Sequence, residues 1–247
     1  VATVDSTGTL GSSSFIFGTT SGNSAVALGT SSANGNGAFS AGLGNAATGN
    51  GAVAIGDPNN ATGQGAVAIG ANNTANGQGA LALGNGSTAN GGSAIAFGDT
   101  ANAALAGNIA VGQNSSAAAI NSVALGVGAR TQQGAGNPTT GAASLGTSVA
   151  IGNAALAANE DAVAIGDQAM ATGFHSTSVG GESFASGTGA QAFGWQANAS
   201  AQFATAGGHQ AQATGVRSTA FGKSSVASGA NASAFGNQAA ASGTRST

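Results

Sequence analysis

Along much of the chain, large apolar residues alternate with Ala in short runs that end on Gly. Ala52-Val53-Ala54-Ile55-Gly56 returns as Ala66-Val67-Ala68-Ile69-Gly70, Ala80-Leu81-Ala82-Leu83-Gly84 and Ala94-Ile95-Ala96-Phe97-Gly98. Strict alternation predicts a strand. Return at a fixed spacing predicts one unit stacked on itself. The closing glycine falls at Gly42, Gly56, Gly70, Gly84, Gly98, Gly112 and Gly126. It resumes at Gly152, Gly166, Gly180, Gly194, Gly208, Gly222 and Gly236, always in steps of fourteen. Gly18 and Gly29 read as earlier, irregular rungs. A second alternating segment follows each first one, as in Gln168-Ala169-Met170-Ala171-Thr172-Gly173 and Glu182-Ser183-Phe184-Ala185-Ser186-Gly187. Two strands fit into fourteen residues only if each corner is about two residues long. Gly and Asn, abundant between the strands, tolerate such corners. The predicted fold is an all-β solenoid of two parallel sheets with two short strands per coil. About fifteen rungs at ~4.8 Å each give a stack of roughly 70 Å.

Side chains alternate across a strand, so Val53 and Ile55 share one face and Ala52 and Ala54 the other. Packing large against small residues places Val and Ile inside. Ala54, Ala68, Ala82, Ala96, Ala110, Ala124, Ala164, Ala192, Ala220 and Ala234 then form a smooth outer ladder. Such an apolar ladder suits packing against another copy about a shared axis, and these residues are the expected oligomer interface. In the second half the Val column turns into Thr177, Gln191, Thr205, Thr219 and Ser233, and Gln191 finds no evident partner in a core. The opposite assignment, with Ala inside, stays open.

The expected organisation is a single repetitive domain over 1–247. Irregular rungs occupy 1–23, a first block 24–128, an insertion 129–147 and a second block 148–247. The insertion holds Asn137-Pro138 and a partial copy, Ala143-Ser144-Leu145-Gly146.

Composition narrows the function classes. Gly makes up 45 of 247 residues and charged residues only 4%, a profile close to that of disordered chains. The 41% hydrophobic fraction is in phase, which favours order instead. Arg130, Arg217, Lys223 and Arg245 are the four basic residues, too scattered for a phosphate track, so no nucleic-acid partner is expected. No apolar run reaches the ~18 residues of a membrane span, so no membrane insertion by these residues is expected. With no Cys there is neither a disulfide scaffold nor a thiolate metal site.

Ser122-Val123-Ala124-Leu125-Gly126, Ser148-Val149-Ala150-Ile151-Gly152 and Ala162-Val163-Ala164-Ile165-Gly166, with Ala-Thr-Gly and Ala-Ser-Gly segments between, carry a resemblance. From about Ser24 onward, outside the insertion, the chain resembles the head domain of YadA-like trimeric autotransporter adhesins. The resemblance implies a left-handed parallel β-roll, a parallel homotrimer and display on the outer surface of a Gram-negative bacterium. It implies a virulence role in attachment to host cells or matrix proteins such as collagen, fibronectin or laminin. The neck, coiled-coil stalk and membrane anchor of that family are not recognised in these residues.

Catalytic chemistry finds little support. His175 and His209 lie at different offsets from the closing Gly, with no carboxylate at a ligand spacing along the chain, so neither a metal nor a catalytic role is assigned. Glu160-Asp161 is the one acidic pair, and neighbours on a strand face opposite sides. No cofactor motif is present, and no enzyme is expected. Trp195, His209 and Lys223 share one corner column in successive rungs, with Met170 and Phe184 on the adjoining outer face. These five are the candidate ligand-binding residues. A viral fibre module is the alternative. An ice-binding solenoid is another, opposed by an irregular Thr column: Thr48 and Thr62 give way to Asn76, Asn90 and Ala104.

Overall fold

The computed structural model describes residues 18–134 and 146–247. The expected rungs before Gly18, Asn137-Pro138 and the partial copy through Leu145 lie outside the described residues. The described part contains strands and corners and no helix. It divides into two units, Val1–Ser93 and Ala94–Thr247.

In the first unit the leading strands of the rungs are Val26–Gly29, Phe39–Gly42, Val53–Gly56, Val67–Ala71 and Leu81–Asn85. They pair in parallel and in register, Val53 with Val67 and Gly56 with Gly70. The trailing strands, including Ala46–Thr48, Asn60–Thr62 and Thr74–Asn76, form the second parallel sheet, with Ala61 opposite Ala75. The second unit repeats the plan with ten leading strands from Ile95–Asp99 to Ser233–Phe235. Ten trailing strands run from Asn102–Ala103 to Ala240–Ala241. Every rung in each unit is thus a strand, a corner, a strand and a corner, as the fourteen-residue period predicts.

The interior is the reverse of the expected one. Ala54, Ala68, Ala82, Ala96, Ala110, Ala124, Ala164, Ala192, Ala220 and Ala234 are buried within the single chain and cannot face another copy. The Val and Ile beside them point outward and stay partly exposed, as the buried-Ala pattern of Val53–Gly56 and Val163–Ile165 shows. The reason is steric. Two sheets joined by corners this short leave a thin interlayer, and only small side chains fill it without voids or strain. Ala61, Ala75 and Ala171 complete the interior from the trailing sheets. Gln191 needs no core partner, because it lies exposed on the outer face.

Each buried Ala methyl contributes only about 0.8 kcal/mol. Cohesion therefore rests heavily on the backbone ladders. They bring successive rungs so close that the closing glycine cannot carry a side chain. A Cβ on Gly70, whose φ is +121°, would stand 1.9 Å from the Gly84 carbonyl oxygen.

The insertion starts later than expected. Arg130–Thr131 is a trailing strand, with Arg130 beside Ser116 on one side and Leu156 on the other. Residues 129–131 belong to the stack, and the extra chain lies between Gln132 and Ser148. Val123 pairs with Val149 across it, in register, although they are twelve residues further apart than one repeat.

Candidate functional site

Three surface features arise from this arrangement in the second unit, each a column of residues one rung apart. The first is the outer face of the leading sheet. Phe97, Val111, Leu125, Ile151, Ile165, Val179, Phe193, Gly207, Phe221 and Phe235 succeed one another in register. Phe97 is 53% exposed, Phe221 57% and Phe235 68%. The Phe221 ring lies over Gly207, where a Cβ would meet Cδ2 and Cε2 at 2.5 and 2.4 Å. A Gly in one rung thus seats an aromatic from the next, and the apolar face continues without a gap. In the first unit the same face carries the exposed Val26 and Ile69.

The second feature is the corner after the leading strand, where the expected Trp195, His209 and Lys223 column is found. The Trp195 and His209 ring centroids are 4.7 Å apart with a 38° tilt. The backbone holds them in step: Gln210 N donates to Trp195 O, and Ser224 N to His209 O, each at 2.8 Å. Trp195 also leans over Gly181, whose Cβ would lie 3.2 Å from the indole. The neighbouring corner position forms an amide ladder, in which Gln210 Nε2 donates to Gln196 Oε1 at 2.9 Å and Gln196 Nε2 to Glu182 Oε2 at 2.6 Å. Met170 and Phe184 pair in register at the start of the trailing strands that leave this corner, Met170 exposed and Phe184 half-buried. The five candidate residues thus occupy two columns that flank one edge. They offer aromatic and thioether surfaces, one imidazole and one ammonium group along that edge.

Next to Met170, Arg130 and Leu156 line a shallow depression of about 290 Å³ with Gly128, Gln132, Ala154 and Gln168. Sequence reading missed it, because Arg130 was assigned to the insertion rather than to the Leu156 and Met170 column.

The third feature lies on the opposite corner. Asp161 occupies a corner at φ +51°, not a strand, so the rule of opposite faces does not separate it from Glu160. One rung on, His175 stands at φ +54° in the same column. Its Nε2 is 3.5 Å from Asp161 Oδ2, and both side chains are about half exposed. Ligand atoms of Glu160, Asp161 and His175 all lie within 4.8 Å of one another. A carboxylate does accompany His175, then, through the stack and not along the chain. Among the described residues these three form the group able to hold a metal ion.

A parallel solenoid with a small-residue interior, one apolar outer face and variable corners defines a class of repeat proteins that present columns of side chains along their surface. The repeat signature narrows that class. The family model of the YadA head domain repeat, which spans two copies, matches residues 47–73, 61–87, 75–101, 109–129, 146–169, 171–197, 185–211, 199–225 and 227–247. These matches cover well over half of the chain, which belongs to the YadA head family. Membership makes it an adhesin-type module. No curated protein matches the chain at a significant level.

Proposed function

We propose that this chain is the non-enzymatic head of a trimeric adhesin, displayed outside the outer membrane of a Gram-negative bacterium and attaching it to host cells or matrix proteins. The observation that carries the reading is the outer column ending in Phe193, Phe221 and Phe235. A long apolar stripe of this kind does not stay in water. Three parallel copies around an axis along the stack bury it on every rung, with each copy using the same face. The corners then remain outside and are free to bind. Trp195, His209 and Lys223, with Met170 and Phe184, are the proposed ligand contacts, because a rigid aromatic beside a cation provides binding energy in little area. Collagen, fibronectin and laminin are the first targets to test.

Sedimentation equilibrium tests the assembly. The parent chain is expected at three times its monomer mass, and Phe221→Asp with Phe235→Asp is expected to lower that mass. Adhesion to immobilised collagen, fibronectin and laminin tests the contacts. Trp195→Ala, His209→Ala and Lys223→Ala together are expected to reduce binding at least tenfold while the trimer persists. A monomeric parent chain overturns the assembly reading, and unchanged adhesion by the trimeric triple variant overturns the contact assignment.

A further inference from the structure

We infer that Glu160, Asp161 and His175 form a binding site for a divalent transition-metal ion, with Zn²⁺ as the best fit. Glu160 and Asp161 are neighbours in one corner, and His175 stands one rung on, in the column of Asp161. Their spacing is fixed by the ladder: His175 N donates to Glu160 O at 2.9 Å and locks one rung to the next. In a tetrahedral site with bonds of ~2.1 Å, donor atoms lie about 3.4 Å apart. His175 Nε2 and Asp161 Oδ2 already stand at 3.5 Å. The Glu160 carboxylate, within 4.8 Å of both, closes the remaining distance by a side-chain rotation on an open surface.

Two neighbours hold the ligands in place. Thr147 Oγ1 donates to Asp161 Oδ1, which leaves Oδ2 directed at the imidazole. Phe174, itself buried, stacks on the His175 ring with centroids 3.8 Å apart and planes 20° from parallel. A ligating carboxylate that is itself hydrogen-bonded is a usual support of metal sites, and the stacked Phe174 ring restricts rotation of the imidazole. One imidazole with two carboxylates selects the ion. Ca²⁺ and Mg²⁺ take all-oxygen sets, whereas an imidazole nitrogen favours Zn²⁺, Ni²⁺ or Cu²⁺. Two carboxylates neutralise the charge of the ion, and its open side is left to water or to a ligand atom from a partner.

Isothermal titration of the tag-free chain with ZnCl₂ alone, then with CaCl₂ alone, tests the site. One Zn²⁺ per chain is expected, with no uptake of Ca²⁺ at the same concentration. His175→Asn and Asp161→Asn both tolerate the left-handed corner. Each is expected to abolish that uptake while leaving the thermal unfolding of the metal-free chain within a few degrees. Thr147→Val is expected to weaken it about tenfold, as loss of a supporting hydrogen bond does. His209→Ala, the control for the other imidazole, is expected to bind as the parent does. Absence of Zn²⁺ uptake by the parent chain, or uptake unchanged in His175→Asn, overturns the assignment.

Discussion

The two units close their leading corner in different ways while keeping one period. In the first, Asn45, Asn59 and Asn73 are buried at the third position after the closing glycine. Asn59 Nδ2 donates to Ile55 O at 2.9 Å and to Gly70 O at 2.8 Å, and Asn73 Nδ2 donates to Asn59 Oδ1 at 2.9 Å. The leading strands there run on past the glycine, as in Val67–Ala71 and Leu81–Asn85. In the second unit Ala155, Ala169, Ala197 and Ala211 stand at the corresponding position. The corner closes by a backbone bond from their N–H back to the glycine carbonyl, at 3.2–3.4 Å. A side-chain ladder and a tight backbone turn are thus interchangeable solutions to one problem, the buried polar groups of a sharp corner. They differ in what they leave outside. The backbone-closed corner places Gln168, Gln196 and Gln210 at φ near +55° with their side chains outward. Trp195, His209, Lys223 and the Glu160–Asp161–His175 group all lie in this second unit.

The sharpest break of the comparison comes at glycines both units need. Gly70→Ala combines a left-handed backbone with a Cβ 1.9 Å from Gly84 O and is expected to cost about 4 kcal/mol or more. Gly65→Ala, at φ +67° with nothing within 4 Å, is expected to cost about 1 kcal/mol. Urea unfolding of the two variants checks this, and equal losses would mean that backbone approach between rungs is not the constraint. Next in size, Asn59→Ala orphans carbonyls and its neighbours in the Asn column, and about 3 kcal/mol is expected to be lost. Hydrogen exchange should show the loss at the corners of the first unit.

Overfilling the interior comes third. Ala164→Val is expected to destabilise by about 2 kcal/mol, whereas Ile165→Val on the outer face changes the unfolding of a single chain by under ~0.5 kcal/mol. The reverse order in thermal melts would restore Val and Ile to the core. Below the loss from Ala164→Val comes that from Ser183→Ala, which removes Oγ bonds to Gly180 O at 2.8 Å and to Ser178 Oγ at 2.7 Å in a column where Ala already serves. About 1 kcal/mol is expected, and a loss matching that of Asn59→Ala would erase the distinction between the two corners.

The period, both strand types, the corner lengths and the glycine columns were legible in the sequence, because each repeats and each repetition constrains the others. The inside of the roll was not. Val-Ala-Ile alternates identically whichever face is buried, and only the thickness left by the corners decides that Ala goes in. Gln191 was the residue that argued for this, since a polar side chain in the assumed core had no partner. The Arg130–Thr131 strand escaped notice because Thr131, buried where Ala117 and Ala157 stand in adjacent rungs, breaks the Ala pattern. Contacts such as Asp161 to His175 become visible only when the chain is read at intervals of fourteen with corners distinguished from strands. The Trp195 and His209 column, read that way, stands as expected.

The register of Val123 with Val149 has a consequence for how such a chain lengthens. Side chains meet according to their phase in the repeat, and the count of residues between them is immaterial to the ladder. Length can be gained by whole copies of fourteen, which extend every column equally. It can also be gained by a stretch of any size that departs from one corner and re-enters at the same phase, as it does between Gln132 and Ser148. That corner is therefore a natural grafting point: foreign sequence placed there leaves the neighbouring rungs in step.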